Sequence, residues 1–224
     1  MGRGRGLSWN DYADRWAQLH GGFDPRKAGP LVRGWLRVSY LIGKGLARIG
    51  ISPGGVTFGG LLLCVAVPLL VHRPALASVF VVLAAMADSV DGATAVVTNR
   101  ATRLGYLYDS LVDRLGEAAW LIAFYLVGAP AVLVVAAGAL SWLHEYVRAR
   151  VTAAGMRDIG VVTVGERPTR VAMAFVGLLL AGLVDPVQTE LPAGTITVVS
   201  AVWVLLSLVG LLQLLAASHR ALRG

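Results

Sequence analysis

Four aspartates, Asp88, Asp91, Asp109 and Asp113, fall inside "DSVDGATAVVTNRATRLGYLYDSLVD", residues 88–113 of an otherwise apolar chain. Carboxylates in close array can hold hard divalent cations such as Mg²⁺ through oxygen ligands, and one of them can take a proton from an attacking hydroxyl. Separations of three residues in the first pair and four in the second put each pair on one face of a helix. Two such helices facing one another would enclose a cluster of oxygen ligands.

The surroundings of these acids follow from composition. Of 224 residues, 56% are hydrophobic and only 15% charged, and the mean hydropathy is +0.69, which predicts an integral membrane protein. Six apolar segments of about spanning length occur at 56–72, 75–98, 104–127, 129–147, 169–184 and 194–216. The predicted fold is therefore all-α, with six transmembrane helices in residues 56–224. Residues 1–55 form a cytoplasmic segment lacking the apolar core of a cleavable signal, and within it "LVRGWLRVSYLIGKGLARIG" interleaves Leu31, Trp35, Val38, Leu41, Leu46 and Ile49 with Arg33, Arg37, Lys44 and Arg48. That pattern predicts an amphipathic helix lying in the membrane interface, ended by "ISPGG".

Charge placement sets the orientation. Nine Lys and Arg precede residue 56, two lie in "NRATR", five between Arg148 and Arg170 and two in the tail, whereas the loop "DPVQTELPAG" holds only acids. The bias predicts a multi-pass protein with both termini and the basic loops in the cytoplasm; the membrane is expected to be a bacterial plasma membrane. It also accounts for the net charge of +7 without a nucleic-acid partner. One cysteine, Cys64, in an apolar run excludes an internal disulfide and reads as a small buried hydrophobe. In this topology the second span ends, and the third begins, on the cytoplasmic side, so all four acids lie at similar depth. At roughly 2.5–3.5 kcal/mol for each Asp at mid-membrane, such a cluster calls for a metal or a cationic partner. Pairing with Arg100, Arg103 and Arg114 is the structural alternative, and an ion-binding helical bundle is the alternative from another functional class.

The spacing itself carries more. Asp88, Asp91-Gly92, Ala95, Gly105, Asp109 and Asp113 together resemble the signature of the CDP-alcohol phosphotransferases, with looser likeness in "ISPGGVTFGGLLL", "EYVRAR" and "GERPTR". The resemblance implies a six-span enzyme with a cytoplasmic-facing site that moves a phosphatidyl or other phosphoalcohol group from a CDP-linked lipid such as CDP-diacylglycerol to a small hydroxyl acceptor, releasing CMP. It implies Mg²⁺ or Mn²⁺, two ions, and a homodimer among membrane lipids. Asp88, Asp91, Asp109 and Asp113 would be metal ligands, and Asp113 the catalytic base. Asp88, Asp91, Gly92, Ala95, Gly105 and Asp109 would bind the nucleotide. The signature normally has Arg after the alanine, where this chain has Val96, so either Arg100 and Arg103 replace that charge or the chain is a non-catalytic scaffold.

Among other polar residues, Arg148, Arg150 and Arg170 at the inner ends of the fourth and fifth spans could receive the phosphate of an acceptor such as a sugar or polyol phosphate, with positive-inside bias as the alternative. Glu117 continues the Asp109–Asp113 face and is expected to pair with Arg114. His144 and Glu145 read as rim residues, and Glu145 would repel an anionic acceptor. Thr102 is the expected cap of the third span. Trp35, Tyr106, Tyr108, Trp142 and Tyr146 read as interface anchors and packing.

Overall fold

The computed structural model describes residues 7–19, 21–156 and 163–222. Among these the chain is helical throughout: α1 (Trp9–Leu19), a 3-10 turn (Pro25–Lys27), α2 (Pro30–Arg48), α3 (Pro53–Leu69), α4 (Pro74–Thr98), α5 (Arg103–Val127), α6 (Ala131–Ala153), α7 (Arg167–Val184) and α8 (Leu191–Leu222). Proline punctuates the starts. Pro30, Pro53, Pro74, Pro168 and Pro192 each lie in a first helical turn, where the missing N–H is one the helix could not use. Glycine ends two of the helices. Gly50 at φ 85° closes α2, and Gly128 at φ 126° closes α5 with its N–H bonded to Phe124 O at 3.2 Å.

Helices α3 to α8 fall at the six apolar segments expected from the sequence. By length and apolarity alone, α4, α7 and α8 each suffice to cross a membrane, and the pair α2–α3, bent by 118°, suffices together. On α5 and α6 ionisable groups interrupt the apolar run: Asp109, Asp113, Arg114 and Glu117 on the first, His144, Glu145 and Arg148 on the second. The 32 residues of α8 amount to roughly 48 Å of helix, longer than the roughly 30 Å of hydrocarbon.

The contacts divide into two compact units, Met1–Leu62 with Leu83–Asp113, and Leu63–Val82 with Arg114–Gly224. The first is built on the inner part of α4. Gly43 of α2 faces Thr94 so closely that a Cβ there would stand 3.0 Å from its backbone nitrogen, and Trp35 Nε1 donates to Ser89 Oγ at 2.8 Å. Trp35, expected as an interface anchor, thus ties α2 to α4 by its indole N–H. Leu31, Val38, Leu41 and Ile49 remain exposed, the apolar face expected of an interfacial helix.

Helix α1 was not legible in the hydropathy, being short and polar. A capping pair starts it: Ser8 Oγ donates to Asp11 Oδ2 at 2.6 Å, and Asp11 N–H donates to Ser8 Oγ at 3.2 Å. Its Tyr12 is fully buried beside Tyr40, Ala93 and Val96, with Trp9 and Trp16 packed against them. Burial holds the Tyr12 phenol well above its ordinary range. The second unit is held by α8 packing on α6 and α7. Within it Trp203 Nε1 donates to Ser141 Oγ at 3.1 Å, with Ser207 Oγ 3.3 Å from the same hydroxyl. Cys64 is buried, as expected.

Candidate active site

The acid-bearing turns of α4 and α5 are brought together. Asp88, Asp91 and Asp109 each offer a carboxylate oxygen, and these oxygens lie within 4.8 Å of one another. Asp91 is buried, with 7% exposure, and Thr57 Oγ1 of α3 donates to its Oδ2 at 2.6 Å. Three unit charges at such separations repel by roughly 3–4 kcal/mol per pair at an effective dielectric of about 20. Hard oxygen donors in this number and density suit a divalent cation. Asp113 lies one turn beyond Asp109 on α5 and is half-buried.

The other signature positions separate by role. Gly105 N–H donates to Thr102 Oγ1 at 2.9 Å, so Thr102 caps α5 as expected and fixes the rotation of Asp109 and Asp113. A Cβ on Gly92 would meet the Trp16 ring at 3.8 Å; the flank of α4 at Gly92 therefore packs against α1. Ala95 lines a groove with Val96 and Asn99. Arg100 and Arg103, in and after the α4–α5 connection, are exposed. Val96 is 3% exposed in the Tyr12–Tyr40–Ala93 cluster, a seat with no room for a solvated guanidinium.

In the second unit the expected acceptor arginines form a different kind of group. Arg170 is 1% exposed, and its guanidinium donates to Glu117 Oε1 at 3.0 Å, to Glu145 Oε1 at 2.8 Å and, through Nε, to Gly165 O at 3.0 Å. Glu117 also takes Arg114 at 3.0 Å, the pairing expected from sequence. Arg148 bonds Glu166, while Arg150 is exposed. His144, expected at a rim, is fully buried. Because Arg170 Nη2 can only donate, at 3.3 Å, to His144 Nδ1, the ring carries its proton on Nε2 and donates to Thr163 Oγ1 at 2.8 Å, which in turn donates to Glu166 Oε1 at 3.0 Å. Glu145 likewise serves as a counter-ion of Arg170. A buried arginine needs several acceptors, and polar residues from α5, α6 and the α7 entrance supply them.

The pattern of the acids and the fold meet in the comparisons. Residues 51–214 match the model of the CDP-alcohol phosphatidyltransferase family. The chain belongs to this family. Phosphatidylinositol phosphate synthase of Mycolicibacterium smegmatis is 33% identical over 192 residues, 80% of this chain and 82% of that protein. Archaetidylinositol phosphate synthase of Pyrococcus horikoshii is 30% identical over 131 residues, 56% of this chain and 70% of that protein. Two crystal structures of Mycobacterium tuberculosis phosphatidylinositol phosphate synthase share the fold. The one in complex with manganese and citrate has a TM-score of 0.66 at 22% identity, covering 81% of this chain and 88% of that one. The one with CDP-DAG bound has 0.62 at 24%, covering 80% and 94%.

This phosphatidyltransferase has site neighbours that the sequence reading missed. Thr57 lies within the "ISPGGVTFGGLLL" likeness, but as one hydroxyl near the start of an apolar run it is not singled out by the sequence. Trp16 and its helix lie outside the matched residues 51–214, and the clue was the Ser8–Asp11 capping pair. The His144–Thr163–Glu166 chain is nonlocal, and only the fold assembles it.

Proposed function

We propose that this membrane enzyme transfers a phosphatidyl group from CDP-diacylglycerol or a related CDP-linked lipid to the hydroxyl of a sugar or polyol phosphate, releasing CMP. The observation that carries the reading is the set of three carboxylates within 4.8 Å on α4 and α5. The inositol phosphate synthase relatives support a phosphorylated polyol acceptor. Asp88, Asp91, Asp109 and Asp113 would hold Mg²⁺ or Mn²⁺, as two ions. A divalent ion there neutralises pyrophosphate charge and stabilises the leaving CMP. Thr57, donating to Asp91, holds that carboxylate in one rotamer. Asp113, one helical turn from Asp109, is the base that takes the proton from the acceptor hydroxyl as its oxygen attacks the donor phosphorus. Gly105, Ala95 and the backbone at Gly92 border the nucleotide, and Arg150 is the exposed cation on α6 available to an acceptor phosphate.

In the same reading α3 to α8 are six spans. Residues 1–55 are a cytoplasmic segment whose α2 lies on the lipid surface, and 56–224 the catalytic membrane domain. Both termini and the site face the cytoplasm, and the enzyme works as a homodimer. The test is CMP release by purified protein given CDP-diacylglycerol, Mg²⁺ and a panel of acceptors that includes inositol phosphate and glycerol phosphate. Release with a polyol phosphate and none with the unphosphorylated polyol is expected. Release with no acceptor on the panel defeats the proposal.

A further inference from the structure

We infer that Arg15 on α1 binds a substrate phosphate in a groove that prolongs the carboxylate face of α4, so that a helix outside the family match supplies a specificity residue. The inference rests on the transferase reading above. On α4 the positions Asp88, Asp91 and Ala95 recur at intervals of three and four residues and share one face, and Asn99 follows directly after the helix end at Thr98. The first two hold carboxylates of the cluster. The last two, with Val96, form the floor of a groove of about 380 Å³ whose other wall is Arg15 and Gln18 of α1. A phosphate-bearing substrate engaged at the carboxylates therefore has this groove as its next neighbour along α4.

The register of α1 fixes which side chains face the groove. Tyr12 and Ala13 are fully buried, and Trp16 packs against the same apolar cluster. Trp9, Tyr12, Trp16 and Tyr40 form an aromatic cluster with contacting ring centroids 4.9–5.7 Å apart. With that face committed to packing, Arg15 and Gln18 are left on the groove edge. Asp11, one turn before Arg15, accepts from the Ser8 hydroxyl at 2.6 Å and the Ser8 N–H at 3.3 Å and also attracts the Arg15 charge; the Arg15 side chain is exposed along the groove.

A helix C-terminus is a poor place for an anion, because its carbonyls carry partial negative charge. Here Asn99, at φ 55°, turns the chain back so that Arg100 N–H caps Ala95 O at 2.9 Å and Asn99 N–H caps Val96 O at 3.3 Å. Arg15 adds the full charge and the planar donor set that suit a phosphate. Val96 and α1 form one arrangement: valine makes the seat on which α1 docks, and the docked helix brings a cation to the groove that Val96 lines.

The test compares wild type, Arg15→Ala and Arg15→Lys as purified full-length protein. It measures KM for CDP-diacylglycerol, KM for inositol phosphate, Tm, and the Kd of CDP in the presence of Mn²⁺. Arg15→Ala should weaken one substrate by roughly tenfold or more, with kcat and Tm close to wild type and partial rescue by Arg15→Lys. A raised donor KM together with weakened CDP assigns the donor phosphate to the groove. A raised acceptor KM with CDP unchanged assigns the acceptor phosphate. Unchanged affinities in a folded variant overturn the inference, as does a fall in Tm and kcat without a KM change and without rescue by lysine. Wild type that neither binds CDP nor releases CMP defeats the transferase reading itself, and this inference with it. Active wild type with an indifferent Arg15→Ala defeats the inference alone.

Discussion

Two groups of ionisable residues in this protein are built on opposite principles. On α4 and α5 of the first unit, Asp88, Asp91 and Asp109 set three charges of one sign within 4.8 Å of one another. In the second unit, Arg114, Arg148 and Arg170 alternate with Glu117, Glu145 and Glu166 through ion-pair contacts, of which Arg170–Glu117 is fully buried. Like charges held together raise the energy of the fold and are kept where a cation with its substrate lowers it again. Alternating charges offset one another, so this group carries far less net charge than the first. The first group thus concentrates charge of one sign, while the second ties α5, α6 and the start of α7 together, although both are candidate sites by residue type.

The comparison can be broken most directly at its two centres. Asp113→Asn should cut kcat by about 10²–10⁴-fold, the usual worth of a general base, while Mn²⁺ and CDP, still held through Asp88, Asp91 and Asp109, continue to raise Tm together. Normal turnover in that variant would remove Asp113 from the role of base. In the second group, Glu117→Ala leaves the Arg170 guanidinium buried with a lost partner and should destabilise by about 3–5 kcal/mol, read as a drop in Tm. The double variant Glu117→Leu, Arg170→Met should lose less than the sum of the two single changes. Additive losses, or a specific rise in acceptor KM at unchanged Tm, would make the second group a substrate site and erase the distinction.

Smaller effects sharpen it. Asp91→Asn should abolish the joint stabilisation by Mg²⁺ and CDP, which at a hundredfold excess over Kd is worth about 2.7 kcal/mol by mass action, and EDTA should do the same to wild type. Val96→Arg should cost roughly 1–3 kcal/mol by overpacking the Tyr12–Tyr40 cluster and raise Trp9 and Trp16 fluorescence exposure without improving donor affinity; improved affinity would mean that position 96 faces substrate. The least effect concerns Asp24, which caps the 3-10 turn. Hydrogen bonds from the Arg26 side chain and backbone hold its pKa below the ordinary 3.8. A depressed folded pKa gives stability that is complete above 3.8 and fades as pH falls through the lower folded value. Acid titration of wild type against Asp24→Asn should show the N-terminal turn loosening only in that window.

How far these features could be read beforehand depends on whether their cause is local. The Thr102 cap and the break after α2 at "ISPGG" are local, and the structure has both where the sequence predicts them. The acid spacing is local within each helix, so the faces of α4 and α5 were legible. Glu117 with Arg114 is an i, i+3 pair and was equally so. His144 was misplaced at a rim because its partners, Thr163 and Arg170, lie 19 and 26 residues away. Trp35 reads as an anchor and packing residue of an amphipathic helix, and the partner of its N–H, Ser89, 54 residues on, is one that no local pattern shows.

The sequence by itself determined a helical membrane protein and its acid-bearing faces, because apolar run length, proline position and helical periodicity act over a few neighbouring residues. Tertiary structure alone decided that Asp88, Asp91 and Asp109 meet, that Arg170 is enclosed by two glutamates and a histidine, and that Val96 lies beneath α1. Each of those outcomes turns on the close approach of helices distant in the chain, where packing and desolvation, absent from any local pattern, set which charges face a neighbour and which face a ligand.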